Sequence, residues 1–290
     1  MTRIYLIAIG LVWSLSASPQ DLEQVRSAGV LRHLGIPYAH FVTGAGDGLD
    51  VELMQGFAAW LGVEYRFVES RWPDVVGDLI GRRVEPDGAH ARFLEETPIR
   101  GDAIASGLTR LGWRQEALEF ASPTFPSAVW LIARADSSLT PIQPSGRLPE
   151  DIQRVRERLS GRTVLALEHT CLDPRLYRLA DTGARVRLQP RERRLNEMVP
   201  AILNRDAEAT LLDLPDALIA LERWPGEIKV IGPLSEPQFM APAFRKDSPL
   251  LRAAFERYFA QIRRDGRYRE MVGRYYPAVF RYYGGFFEPP

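Results

Sequence analysis

Residues 101–114 read Gly-Asp-Ala-Ile-Ala-Ser-Gly-Leu-Thr-Arg-Leu-Gly-Trp-Arg, and Ser122-Pro123 closes the segment. A short apolar stretch runs into a turn bearing Ser106, Gly107 and Thr109, and Arg114 follows five residues after the threonine. Such a strand end presents backbone N–H groups, two hydroxyls and a guanidinium, a donor set that suits a carboxylate. Arginine fits that task because its planar fork binds two oxygens at once and stays charged. Asp213 is the complementary anchor. It ends the strand-like Ala209-Thr210-Leu211-Leu212 and precedes Leu214-Pro215-Asp216. A carboxylate there can pair with an ammonium, cap the helix that Pro215 opens, or do both.

A third cluster is Glu168-His169-Thr170-Cys171-Leu172-Asp173, between a strand and a predicted helix. A helix start offers free N–H groups to an anion. Thr170 adds a hydroxyl, whereas the Cys171 thiol is a weak donor and makes that edge more apolar. His169 and Cys171 are also a nominal base and nucleophile, but two positions on one loop supply no hydrogen-bonding geometry and no third orienting group. The bland alternative is a small buried thiol beside a loop histidine. His33, His40, His90 and His169 show no metal-ligand spacing, so neither metal nor cofactor is expected. Tyr38 and Trp72, in loops after strands, are expected as aromatic walls; core packing is the competing role for each.

The elements that must hold these residues alternate between strand and helix. Strands are predicted at residues 31–36, 63–68, 128–133, 163–167, 185–188, 209–212 and 229–231. Helices are predicted at 50–61, from Pro73 to Gly81, and at 149–159, 173–179, 195–204, 215–221, 249–265 and 267–276. Gly62 stops the first of these. This alternation gives an α/β fold. Residues 82–100 are polar, contain Pro86, Gly88 and Pro98, and read as a surface insertion. Residues 137–149, rich in Ser and Pro, read as a connection.

The chain has 290 residues, enough for a sizeable core, with 46% hydrophobic and 26% charged residues. Basic and acidic residues balance at 37 each, so no nucleic-acid partner is implied. Lys229 and Lys246 are the only lysines, an arginine bias we attribute to genome composition. Residues 1–18 read as a secretory signal peptide: Arg3 supplies the positive start, residues 4–15 the apolar run, and Ser14, Ser16, Ala17 and Ser18 a small-residue exit. An uncleaved anchor is the alternative. No cysteine follows the apolar run, so no lipid anchor is expected and a periplasmic address follows. Cys171 is the single cysteine, which precludes an intrachain disulfide.

The Ser106-Gly107-x-Thr109 turn, the following Arg114 and the order of segments over about residues 30–277 resemble family 3 solute-binding proteins, periplasmic receptors of polar amino-acid transporters. The resemblance implies a type II periplasmic-binding-protein fold: two α/β lobes, a double-crossover hinge, and a ligand cleft between them. Crossings are expected near residues 134–138 and 232–236. The first lobe would then comprise residues 19–134 and 233–277, the second 135–232, and an aromatic tail 278–290. It further implies that Arg114, Ser106, Thr109 and the Gly107 N–H hold a ligand carboxylate, that Asp213 holds its ammonium, and that Thr170, Cys171, Tyr38 and Trp72 line the pocket. The family's Gly-Thr-Thr or Gly-Ser-Thr motif is altered here, with His169 in place of Gly and Cys171 in place of the second hydroxyl residue. The implied function is a non-enzymatic monomer that captures an amino acid or relative for a membrane ABC permease. The chain also resembles the solute-binding domain of membrane-bound lytic transglycosylases; the runs Gly48-Leu49-Asp50 and Asp265-Gly266-Arg267-Tyr268 are compatible with either group. A sensor of cell-wall fragments is therefore the alternative. A dehydratase on the same fold, with Glu168, His169 or Asp173 as nominal acid or base, is the third class.

Overall fold

The computed structural model describes residues 21–88, 90–190 and 197–289. The signal-peptide reading, over 1–18, lies outside the described residues. The first lobe opens with α1 (Leu22–Ala28), β1 (Val30–Gly35), α2 (Leu49–Leu61), β2 (Glu64–Glu69) and α3 (Val75–Ile80). It continues through β3 (Arg82–Asp87), β4 (His90–Glu96), β5 (Ala103–Ile104), α4 (Gly112–Ala117) and β6 (Leu118–Phe120). After the hinge strand β7 (Phe125–Ser127), the second lobe holds β8 (Val129–Arg134), α5 (Leu148–Glu157), β9 (Thr163–Ala166) and β10 (Arg185–Leu188). It ends with α6 (Met198–Leu203), β11 (Ala209–Asp213), α7 (Leu214–Arg223) and β12 (Ile228–Pro233). The chain returns through β13 (Gln238–Met240) to β14 (Ala243–Arg245), α8 (Pro249–Arg264), α9 (Arg267–Tyr275) and α10 (Val279–Tyr283).

Each lobe is built on one five-stranded sheet, in the orders β2-β1-β5-β14-β6 and β10-β9-β11-β8-β12. In each, four strands run parallel and one, β14 or β8, runs antiparallel between two of them. The inner parallel strands are covered on both faces and read as continuous apolar runs. β11 is the clearest case, with all five residues buried, Asp213 included. The expected α/β alternation and the type II two-lobe architecture are therefore present.

Three features differ from the sequence reading. β8 pairs with β11 and β12, so it belongs to the second sheet. The chain thus leaves the first lobe at β7, before Arg134, and not at residues 134–138. β7 pairs antiparallel with β13, which makes a two-stranded hinge where both crossings lie side by side. Within the expected insertion, β3 and β4 pair antiparallel. Their residues are mostly exposed or half-exposed, so apolar periodicity gave no strand signal. Their backbone ladder is accompanied by surface charge pairs, with Arg83 and Arg92 both on Glu85 at 2.7 Å. In addition, the helix expected over 173–179 is two short 3₁₀ turns, Pro174–Tyr177 and Leu179–Thr182, separated by Arg178 at φ 49°.

The aromatic tail packs on the first lobe. Phe287 is buried, and its ring centroid lies 5.6 Å from Phe125 and 5.4 Å from Phe280. Arg263 donates to the carbonyls of Phe286 and Glu288 at 3.2 and 3.0 Å.

Asp102, just ahead of the candidate turn, ties β1 to β5. Its carboxylate is buried and accepts from the Arg32 backbone N–H at 2.8 Å and from Arg32 Nη2 at 2.6 Å. Removing it takes a charged acceptor from a backbone donor and from a guanidinium. Asp102→Ala is expected to lower stability by about 2–3 kcal/mol, the range for hydrogen bonds to charged groups, as read from urea denaturation. A loss below about 0.5 kcal/mol would contradict this role.

Candidate functional site

β5 ends inside the first lobe and delivers the Ser106–Thr109 turn to the face opposite the second lobe; α4 follows and carries Arg114. On the other side, the loop after β9 carries Thr170 and Cys171, and β11 ends at Asp213. Ligand sites in open α/β sheets form beyond the carboxyl ends of strands, and both sets of residues stand at such ends.

The structure brings Tyr38, Trp72, Thr109, Arg114, Cys171 and Asp213 together. Arg114 is the largest fully buried side chain. Its guanidinium donates to the Thr109 carbonyl at 3.0 Å and, across the lobes, to the His169 carbonyl at 3.3 Å. It also stacks between Trp72 and Trp113, at 5.6 and 5.2 Å from their ring centroids. Its Nε is buried with no hydrogen-bond partner. Burial lowers its pKa to about 10, which leaves it charged at neutral pH. Asp213 Oδ2 accepts from the Tyr38 hydroxyl and from the Cys171 thiol, the latter at 3.3 Å. Its Oδ1 accepts from the Asp216 N–H at 3.4 Å, so Asp213 caps α7 as well as facing the cleft. Burial raises its pKa.

Cys171 sits within electrostatic reach of both anchors. Burial first, then the Asp213 charge, push its thiol well above the ordinary range, against the opposing pull of Arg114. A thiol held in its protonated form is no nucleophile at neutral pH. The Cys171–His169 pair therefore lacks the activation that covalent chemistry needs.

Three expected ligand donors are engaged elsewhere. The Gly107 N–H, expected to meet a ligand carboxylate, donates to Asp50 Oδ2 at 2.6 Å. The Ser106 hydroxyl accepts from the Ile36 N–H and donates to the Ala105 carbonyl, both at 2.7 Å. The Thr170 hydroxyl donates to the Leu167 carbonyl at 2.9 Å and accepts from the Leu172 N–H at 3.0 Å. These hydroxyls shape their turns. For Thr170 the cause is local, a short polar side chain satisfying its own turn, whereas Ser106 and Gly107 are also tied to Ile36 and Asp50 of distant elements. Gly107 is required twice over. Its φ is 58°, and an added Cβ would lie 2.5 Å from the Phe41 ring and 2.9 Å from the Tyr38 ring.

Sequence reasoning missed Asp50, Asp216 and Tyr177. Asp50 was visible only as part of Gly48-Leu49-Asp50, and its partner lies 57 positions away. Asp216 was visible as the fourth residue of Asp213-Leu214-Pro215-Asp216, the spacing of a reciprocal cap. It is buried beside Asp213, and burial followed by that charge raises its pKa well above the carboxylate range. Tyr177 donates to the Cys171 carbonyl and accepts from Gln238 at 3.3 Å, which links the thiol loop to the hinge. A surface groove of about 420 Å³ lies elsewhere, between α3 and the β3–β4 ladder, lined by Ser70, Arg71, Asp78, Arg83 and Arg100 among others. Each of its three arginines is ion-paired, with Asp74, Glu85 and Asp78 respectively, so we place the site between the lobes.

Asp50 sets a pH dependence. Burial raises its pKa to about 7, opposed by the Gly107 N–H; Tyr65, Tyr268 and Tyr276 lie around it. The folded state then keeps a proton that the unfolded chain loses near 3.8. The associated stability is present below that value and is lost as pH rises through about 7. Asp213 and Asp216 act in the same direction. Urea midpoints are expected to fall from pH 4.5 to 7.5, and to fall less steeply in Asp50→Asn. Parallel slopes in the two proteins would refute the assignment.

Comparison with known proteins gives the family. A 280-residue alignment covers 94% of this chain at 26% identity with membrane-bound lytic murein transglycosylase F of Desulfosudis oleivorans; the chain spans 55% of that protein's length. A mutant of ArgBP from T. maritima superposes with a TM-score of 0.70 at 19% identity, over 88% of this chain and 99% of that one. An ancestral amino acid-binding protein, a precursor of cyclohexadienyl dehydratase, superposes at 0.68 with 18% identity, over 88% and 98%. At these identities the superpositions show the shared fold. Residues 97–278 match bacterial extracellular solute-binding proteins, family 3, and the chain belongs to that family.

Proposed function

We propose that the protein captures a small zwitterion, an amino acid or close relative, between its lobes and presents it for uptake from the periplasm by a membrane ABC permease. One observation carries the reading. A buried guanidinium on the first lobe and a buried carboxylate on the second flank the same thiol, Cys171. A ligand bearing both charges would bridge the lobes and favour their closed arrangement. Arg114, with Thr109 beside it, would take the carboxylate; Asp213 would take the ammonium; Trp72 and Tyr38 would supply the walls. The similarity to amino acid-binding folds supports this assignment. Among the described residues no helix is long and apolar enough to cross a membrane.

The second reading is a sensor of cell-wall fragments. The observation favouring it is the alignment with a murein transglycosylase along nearly the whole of this chain. The same cleft would then hold the zwitterionic end of a peptide stem.

Calorimetry and thermal shift with free L-amino acids and a muropeptide separate the two readings. A free amino acid at about a hundred times its Kd is expected to add about 2.7 kcal/mol. Asp213→Asn and Arg114→Lys are each expected to weaken that binding by about 2–4 kcal/mol, since each leaves an opposing ligand charge poorly matched. Response to the muropeptide alone would favour the sensor. Retained affinity in both variants would overturn the shared anchor assignment.

A further inference from the structure

The Tyr38 phenol occupies the position on Asp213 that a ligand ammonium would take. Tyr38 follows β1 in the first lobe and is buried. Its ring stacks on Phe41 at 5.8 Å between centroids with 19° between planes, and meets Trp72 edge-on at 5.6 Å. Gly107 lies against the same ring, and the Asp50 carboxylate holds Gly107 in place. The ring is thus fixed on three sides by its own lobe. From there its hydroxyl reaches Asp213 of the other lobe.

Asp213 Oδ2 already accepts two donors, Tyr38 and Cys171, and Oδ1 accepts the Asp216 N–H. Oδ2 is filled by its two donors, so an ammonium that engages this oxygen displaces one of them. Cys171 belongs to the same lobe as Asp213, whereas Tyr38 reaches the carboxylate from the opposite lobe, so Tyr38 is the donor against which a ligand between the lobes competes. A neutral hydroxyl or amide from a ligand would exchange one neutral hydrogen bond for another and gain little. An ammonium would replace a neutral donor with a charged one, which is roughly twice as strong.

We propose that Tyr38 is the specificity-determining residue of the Asp213 subsite, a built-in competitor that latches the lobes together and yields only to a protonated amine. The proposal rests on the reading of Asp213 as the ammonium anchor. It also gives Cys171 a physical sense: a hydroxyl there would donate more strongly to Asp213 and make the subsite harder to enter.

Two measurements test it. The first is small-angle X-ray scattering of the unliganded protein and of Tyr38→Phe, which keeps the ring stacking and removes only the hydroxyl. The variant is expected to show a larger radius of gyration, because one cross-lobe bond is gone. An unchanged radius would overturn the latch whatever the ligand is. The second is calorimetry with L-arginine and L-glutamine as probes. Tyr38→Phe is expected to bind a recognised probe about tenfold more tightly, and Cys171→Ser more weakly, the change expected when a competing hydrogen bond is removed or strengthened. Weaker binding by Tyr38→Phe would overturn the competitor role and make the phenol a ligand contact. If neither probe binds either protein, the zwitterion reading loses support, while the scattering result still decides the latch.

Discussion

The architecture converges on one carboxylate. Asp213 is placed by a strand whose residues are all buried, and it cannot reach water in this arrangement. A buried carboxylate is costly unless donors surround it. Here the donors come from three places: the first turn of α7, the loop after β9, and Tyr38 of the opposite lobe. The last makes the requirement a lobe-bridging one. Satisfying Asp213 from the first lobe brings the lobes together, and the Arg114 bond to the His169 carbonyl acts in the same direction.

The supporting elements follow from that requirement. Tyr38 reaches across because its ring is stacked on Phe41 and seated on Gly107, where any side chain would collide. Gly107 keeps its conformation because Asp50 binds its N–H from the start of α2. Arg114 is held by carbonyls and two tryptophan faces, with no carboxylate among its hydrogen-bond partners. Its charge is thereby left available to an anion, which is what a carboxylate subsite needs. The hinge, β7 beside β13, is two strands of three residues, so only a few backbone dihedrals would have to change for the lobes to part.

Much of this was legible in the sequence. Inner strands announced themselves as apolar runs, and β11 ending at Asp213 was read from five residues. The Ser-Gly-x-Thr turn with Arg114 was read from spacing alone. The remainder was hidden for physical reasons. β8 is a buried run that looks the same in either lobe, so sequence could not say on which side of it the chain crosses. The pairing of β3 with β4 is a backbone ladder between mostly exposed strands, and their faces carry no apolar period. Ser106, Thr170 and the Gly107 N–H stand out by residue type, but the groups they bond here, among them the Ile36 N–H and the Asp50 carboxylate, are not encoded in their own turns. Asp50 and Tyr38 matter through partners 57 and 175 positions away, which no local pattern encodes.

The most direct measurement is calorimetric titration of the protein with each amino acid it recognises, alongside the analogue lacking the amine and the analogue lacking the carboxylate. If Asp213 and Arg114 grip the two ends of a zwitterion, both analogues lose at least about a hundredfold in affinity, near 2.7 kcal/mol. A deaminated analogue that binds as well as its parent would contradict the account.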